Sequence, residues 1–301
     1  MSRIEKNKAI VEEFEREKEL EKKKLKRKRR FKFFSVFFLI IFLMYLILRY
    51  FGTSGLIVRE YAPSFDNLPK SFYGLKIVQF SDLHYGHTTD IEDVRKLVKK
   101  INYLNPDIVV FTGDLIDSKF TNEDLRLLEK ELSLIEAKLS KYMVLGNHDR
   151  SSQIADLLVK ANFIDLNNNY DLIYNNSNES IIISGIGDLI LKRHDIDEAM
   201  RYFKDENNPR LFSIVITHEG DVLDDVLGNY PVDLALAGHS HNGQVRLPKI
   251  GSLITPYGAK IYKEKEYHER GASIYVSGGI GTTILPFRLF NHPSINLIRL
   301  R

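Results

Sequence analysis

The chain has 301 residues, 44% hydrophobic and 28% charged, proportions that allow one large or two modest globular domains and exclude a disordered or fibrous protein. It has no cysteine, which excludes disulfides, thiolate metal sites and a cysteine nucleophile, so any bound metal must be held by oxygen and nitrogen. The formal net charge of +3 conceals an asymmetry: residues 1–30 carry 13 Lys and Arg against 7 Asp and Glu, and the rest of the chain is mildly acidic.

Residues 4–24 are rich in Glu and Lys and read as a solvated helix. From Phe33 to Leu48 the sequence is FFSVFFLIIFLMYLIL, with Ser35 its one strongly polar member, and Tyr50-Phe51 extend it past Arg49. As a helix, residues 33–51 reach about 28 Å, close to the hydrocarbon thickness of a bilayer, with Lys32 and Arg49 placed to snorkel. The competing reading is a cleaved signal peptide. The charged leader and the apolar run are both long for one, and no clear small-X-small site follows. The expectation is one uncleaved transmembrane anchor in the cell membrane. The cluster Lys22-Lys23-Lys24-Leu25-Lys26-Arg27-Lys28-Arg29-Arg30 puts the N-terminus in the cytoplasm and residues from about 52 onward outside. Beside an apolar span, contact with anionic lipid head groups suits this cluster better than nucleic acid, which the acidic remainder also disfavours.

Gly52-Thr53-Ser54-Gly55 and Ala62-Pro63-Ser64 mark a linker and lead-in over 52–74. Thereafter LKIVQF (75–80), DIVVF (107–111), YMVL (142–145), IIIS (181–184), FSIVIT (212–217) and DLALA (233–237) read as buried strands, being short, β-branched and bounded by turn residues. Helical spacing fills 91–104, 122–139 and 151–161, and the alternation argues an α/β layered fold. Asn167–Asn178 reads as an Asn-rich loop or hairpin. After Gly243 the pieces QVRLP, SIYVS and SINLIRL predict that the last third completes a sheet with antiparallel strands.

Active groups in open α/β sheets collect at the carboxyl ends of strands, and here nearly every strand runs into a possible ligand. The sequence places Asp82 and His84 after the first run, Asp114 and Asp117 after the second and Asn147, His148 and Asp149 after the third. His218 follows the fifth run, and His239 and His241 the sixth. Each residue alone has an ordinary reading as a cap, turn or strand-end group. Together, carboxylate, imidazole and amide oxygen are what two adjacent divalent cations need, and the set suits Mn²⁺, Fe²⁺/³⁺ or Zn²⁺ better than Ca²⁺. Such a pair, about 3.5–4 Å apart and bridged by a carboxylate, deprotonates a shared water that attacks phosphorus in line with the leaving oxygen.

The order Asp82-X-His84, Gly113-Asp114-X-X-Asp117, Gly146-Asn147-His148-Asp149, His218, Gly238-His239-X-His241 resembles the calcineurin-like metallophosphoesterase superfamily over about residues 75–301. LKIVQFSDLHYG, GHSHNGQVRLP and IYVSGGIGTTILPFRLFNHPSINLIRL are more narrowly similar to its membrane-associated bacterial branch of YkuE-like and YaeI-like phosphodiesterases and LpxG-type UDP-2,3-diacylglucosamine hydrolases. The resemblance implies a four-layer α/β/β/α sandwich, here after one N-terminal transmembrane helix, with segments 1–32, 33–51, 52–74 and 75–301. It also implies that Asp82, His84 and His241 hold one metal, Asn147, His218 and His239 the other, and that Asp114 bridges them. His148 would contact the phosphate or protonate the leaving oxygen. Asp149 would orient His148 or serve in the first turn of a helix, and Asp117 would support the loop or bond a ligand. Two positions depart from the branch: Asn242, where relatives commonly have Gly, and Ser294, where they often have an acidic residue.

Gly278-Gly279-Ile280-Gly281-Thr282-Thr283 reads as a Gly-permitted tight loop, or as one that closes over the metals with Arg288 on the substrate phosphate. His87, His194, His268 and His292 fall outside the blocks and read as surface or structural. The functional expectation is a membrane-anchored two-metal phosphoesterase acting on a phosphodiester or pyrophosphate bond of a lipid-linked or cell-envelope substrate. A phosphoprotein phosphatase of the same fold and a non-catalytic tethered scaffold are the alternatives.

Overall fold

A computed structural model describes residues 3–117 and 120–301. It divides into two compact units, residues 1–48 and 49–301. The first is most of α1 (Arg3–Tyr50), which carries a segment long and apolar enough to cross a membrane.

The second unit contains strands β1 (Ile57–Tyr61), β2 (Lys76–Phe80), β3 (Ile108–Thr112), β4 (Ser140–Val144), β5 (Ile164–Asp165), β6 (Asn169–Tyr174) and β7 (Ser180–Ile186). It continues with β8 (Ser213–Thr217), β9 (Leu234–Ala237), the short β10 (Arg246–Leu247) and β11 (Gly251–Ser252), β12 (Glu266–Glu269), β13 (Ala272–Val276) and β14 (Ser294–Arg299). They form two six-stranded sheets, in the orders β1-β14-β2-β3-β4-β5 and β12-β13-β9-β8-β7-β6, plus a β10–β11 ribbon.

The layers follow from side-chain alternation. On β3, Ile108 and Val110 face the second sheet's Ile214, Ile216, Leu234 and Leu236, while Val109 and Phe111 face outward onto α2 (Ile91–Leu104), α3 (Asn122–Ser133) and α4 (Ser152–Lys160). The second sheet's outer face, including Val215, Ala235 and Ile274, packs on α5 (Ile196–Ala199) and α6 (Leu223–Asn229). Central strands buried on both faces read as unbroken apolar runs, and three apolar interfaces give four layers, the α/β/β/α sandwich the sequence pointed to. Val94, Leu97, Val98 and Ile101 line the buried stripe of α2, which starts at a capping box between Asp90 and Asp93.

A fully buried polar side chain, Gln79, stands between the sheets. Its amide donates to Thr112 Oγ1 on β3 and to Ala237 O on β9, and accepts from Asn296 on β14. It joins the two sheets beside the carboxyl ends of β2, β3 and β9.

Three expectations change. The segment 52–74 is not all linker, because β1 pairs in parallel with β14. The second helical run stops at Ser133 rather than residue 139, since Asn102 on α2 bonds both Leu134 O and Glu136 N and turns the chain toward β4. The closing strands are of mixed sense: β14 is antiparallel to β2 and β12 to β13, but β13 runs parallel to β9. The Asn-rich segment is a hairpin of β6 and β7. A fragment starting at Thr53 should keep the urea midpoint of the intact unit. One starting at Leu75 loses β1, bares the β14 edge and should unfold at lower urea or aggregate.

Candidate metal centre

The turns after β2, β3, β4, β8 and β9 converge at the carboxyl ends of the two sheets. Five of their residues, Asp82, His84, Asp114, His239 and His241, have left-handed backbone, with φ between 45° and 64°. Such conformations are uncommon for non-glycine residues and cost about 1–3 kcal/mol each unless the surroundings impose them. They turn each side chain back toward one point. Gly146 serves the same convergence, because a Cβ there would lie 2.3 Å from Asp114 Oδ1.

Asp82, His84 and His241 form one group and Asp114, His218 and His239 a second, the ligand atoms of each within 4.8 Å of one another. In the first, the Nε2 atoms of His84 and His241 are 3.1 Å apart, and His241 Nε2 is 3.4 Å from Asp82 Oδ1. In the second, His239 Nδ1 and Asp114 Oδ2 each lie 3.2 Å from His218 Nε2. Asp114 Oδ2 is also 3.7 Å from His84 Nε2 and so faces both groups. Two ligands of one tetrahedral or octahedral first-row metal are about 3.0–3.5 Å apart, close to these spacings, with His84 Nε2 and Asp82 Oδ1 wider at 4.0 Å.

Hydrogen bonds at the outer nitrogens fix the tautomers. His218 Nδ1–H donates to Thr112 O at 2.7 Å, and His239 Nε2–H donates to Tyr257 O at 2.8 Å. Their inner nitrogens, when neutral, present lone pairs to each other and to a carboxylate oxygen. Asn147 Oδ1 is buried and bonded to nothing. Without the proton that His218 otherwise shares with Asp114, the inner nitrogens and the carboxylate oxygen converge as acceptors, which fits a cation. Burial would raise the Asp114 carboxyl, but the neighbouring His218 outweighs it and holds Asp114 well below its ordinary range. Burial, with His218 adding to it, lowers His239 to about 4. The first group differs, because His241 Nδ1 faces Arg288 Nη2 at 3.2 Å while His84 Nδ1 faces Asp117 Oδ1 at 3.1 Å. A single proton between the two Nε2 atoms satisfies that pair, and a bound metal would displace it.

The other site residues divide. His148 lies at the mouth, 30% exposed in its side chain, its Nδ1 3.2 Å from Asp117 Oδ1, and its backbone N–H donates to Asp114 Oδ1 at 2.9 Å. Asp117 therefore serves both His84 and His148, and the histidine bonded to it holds its carboxyl below the ordinary range. Asp149 is not against the His148 ring and precedes the first turn of α4, which is capped by Ser151. It is buried and accepts the backbone N–H groups of Asp114, Leu115 and Gly146 at 2.8–3.0 Å, tying the β3 and β4 turns together. Burial pushes its carboxyl up to about 6.

Arg288 also differs from expectation. It is 0% exposed, and its guanidinium donates to Gly278 O and Gly281 O as well as facing His241, so it holds the glycine loop instead of reaching a substrate. That loop backs the Asp82 turn, with Gly281 N–H donating to Asp82 O at 2.8 Å. Sequence reasoning did not find Thr112 and Tyr257, whose carbonyls orient two ligands; backbone acceptors leave no residue-type signal. Replacing Asp117 with Asn should weaken Mn²⁺ binding, measured by calorimetric titration, by about 10–100-fold, since it frees both the His84 and His148 rings.

Residues 75–243 match the family Calcineurin-like phosphoesterase. The chain is 34% identical over 257 residues to the uncharacterized metallophosphoesterase YkuE of Bacillus subtilis (strain 168), covering 84% of this chain and 88% of that protein. It is 29% identical over 273 residues to the UDP-2,3-diacylglucosamine pyrophosphatase LpxG of Chlamydia trachomatis serovar D, covering 71% and 81%. A third relative, a transmembrane protein with metallophosphoesterase domain from Danio rerio, is 28% identical over 251 residues, covering 78% of this chain and 55% of the fish protein. With candidate ligands in the turns at the ends of five strands and a family match across more than half its length, the chain belongs to the calcineurin-like phosphoesterases, a family of hydrolases.

Proposed function

We propose that the protein is a membrane-anchored phosphoesterase with two divalent cations, cleaving a phosphodiester or pyrophosphate bond in a lipid-linked molecule of the cell envelope. The observation that carries the substrate class is the pocket beside the metal groups. His239 and His241 lie on its lining together with Val245, Ile254, Pro256, Ile284 and Leu285. Ile254 is 51% and Ile284 77% exposed, and Ile284 holds φ 60°, a strained conformation for a β-branched residue. Apolar walls next to the proposed metal ligands suit a substrate with a phosphate at one end and hydrocarbon beside it. The apolar segment of α1 and the relative named as a UDP-2,3-diacylglucosamine pyrophosphatase support the same class. The basic cluster Lys22–Arg30 supports an N-terminus on the cytoplasmic side, near anionic head groups, and a catalytic domain outside.

Asp82, His84 and His241 would hold one cation and Asn147, His218 and His239 the other, with Asp114 between them. Two such cations, of Mn²⁺, iron or Zn²⁺, supply Lewis acidity toward the phosphoryl oxygens and an acidified water nucleophile. The chain's own residues do the rest. Asp117 fixes His148 through Nδ1 and leaves Nε2 to carry a proton to the leaving oxygen. Asp149 holds the β3 and β4 turns in register, so that Asp114 and Asn147 keep their places. Ile254 and Ile284 keep water from the side of the pocket where the hydrocarbon sits.

Full-length protein in detergent with Mn²⁺ should hydrolyse bis-p-nitrophenyl phosphate and a diacylated nucleotide-sugar pyrophosphate. His148→Gln should lower kcat on both by about 10²–10⁴-fold. Ile284→Ser should raise KM for the acylated substrate and leave the aryl diester unchanged. Folded, metal-loaded wild type that is inert on phosphomonoesters, diesters and pyrophosphates contradicts the proposal.

A further inference from the structure

Arg59 lies at the centre of β1, paired in register with Asn296 on β14, in a segment the sequence reads as a lead-in. Its guanidinium is largely buried, and burial lowers its basicity. A buried cation usually meets a carboxylate, yet this one is spent on two neutral amides. Nη1 donates to Asn242 Oδ1, and Nη2 donates to Asn291 Oδ1 at 2.7 Å. Space for it depends on Gly278, where a Cβ would stand 2.9 Å from Nη1.

Both amides hold the backbone around His241. Asn291 Nδ2 donates to His241 O. Asn242 follows His241 directly; its Nδ2 donates to Val276 O at 3.2 Å and its backbone N–H to Ser240 Oγ at 3.0 Å. His239, His241 and Asn242 have φ of 64°, 49° and 46°, so this loop keeps three left-handed non-glycine residues in four positions. Glycine at 242 would relieve one of them; Asn tolerates the conformation and adds the oxygen that receives Arg59. Arg288 closes the same cage, Nη1 donating to Asn291 O at 3.3 Å while Nη2 faces His241 Nδ1.

We propose that Arg59 is a positioning residue of the metal centre: by bridging Asn242 and Asn291 it fixes the backbone that aims His241, making the strand after the apolar helix part of the site. The proposal rests on the two-cation reading above and assigns Arg59 to one half of the site, that of Asp82, His84 and His241. The fork geometry matters, because a lysine ammonium is a point charge without two coplanar donors to set both amides at once.

The test is calorimetric titration of full-length protein in detergent with Mn²⁺, alongside thermal unfolding of the metal-free protein. Wild type should bind two Mn²⁺ per chain. Arg59→Ala and Arg59→Lys should weaken one of the two by about 10–100-fold and leave the other unchanged. In an Asp82→Asn background, where the affected cation is already lost, Arg59→Lys should change nothing further. If Arg59→Ala does not fold, Asn242→Gly, which removes the acceptor on the ligand loop together with its bond to Val276 O, should weaken the same cation. Two Mn²⁺ bound with wild-type affinity by the variants overturns the proposal and leaves the two-cation reading standing. Equal weakening of both sites in step with lowered thermal stability overturns it in favour of a general structural role. A wild type that binds no divalent metal removes both.

Discussion

A single buried carboxylate, Asp114, has to face two groups of imidazoles at once, and the site is arranged around that demand. Its Oδ2 lies 3.2 Å from His218 and 3.7 Å from His84, and its Oδ1 accepts the His148 N–H. A carboxylate removed from water and given no partner would protonate; this one keeps its charge because cationic or donor groups surround it. The neighbours make room and fix the angle, Gly146 by lacking a Cβ and Asp149 by holding the Asp114 backbone N–H. Two cations would replace the protons these groups otherwise share, and the buried charges would then be matched.

That arrangement needs the sheets held rigidly against each other, since Asp114 leaves β3 in one sheet and His218 and His239 leave β8 and β9 in the other. The apolar layer between the sheets supplies most of the adhesion, and Gln79 adds a directional link beside the strand ends. Strain in the ligand turns is offset by bonds from behind. Asp149 holds the β3 and β4 turns, the glycine loop with Arg288 backs the β2 turn, and the Asn242–Asn291 pair holds the β9 turn. These are polar contacts made mostly with backbone, and they let strained turns persist.

Much of this was legible in the sequence because buried strands declare themselves as short apolar runs and the chemistry follows immediately at their ends. All six runs are strands, and the turns that follow four of them bring together six of the seven expected ligand side chains, while Asn147 Oδ1, in the turn after a fifth, is buried without a partner. The IVREY of β1 escaped notice because charged residues interrupt its apolar pattern. The helix end at Ser133 depends on Asn102 from another helix, which no local pattern contains. Asp117 bonds the His84 imidazole as expected, but it also takes the hold on His148 expected of Asp149, for a similar reason: which carboxylate reaches a given imidazole is settled by how separate turns stack. Arg288 looked like a phosphate ligand because arginine after a glycine loop has that chemistry; its burial was a property of the fold alone.

The central claim is that Asp114 stands between two cations. Anomalous diffraction from crystals of the full-length protein grown with Mn²⁺ tests it directly. The account predicts two peaks about 3.5–4 Å apart, one beside Asp82, His84 and His241, the other beside Asn147, His218 and His239, with Asp114 Oδ2 between them. A single peak, or two with Asp114 bonded to only one, would contradict it.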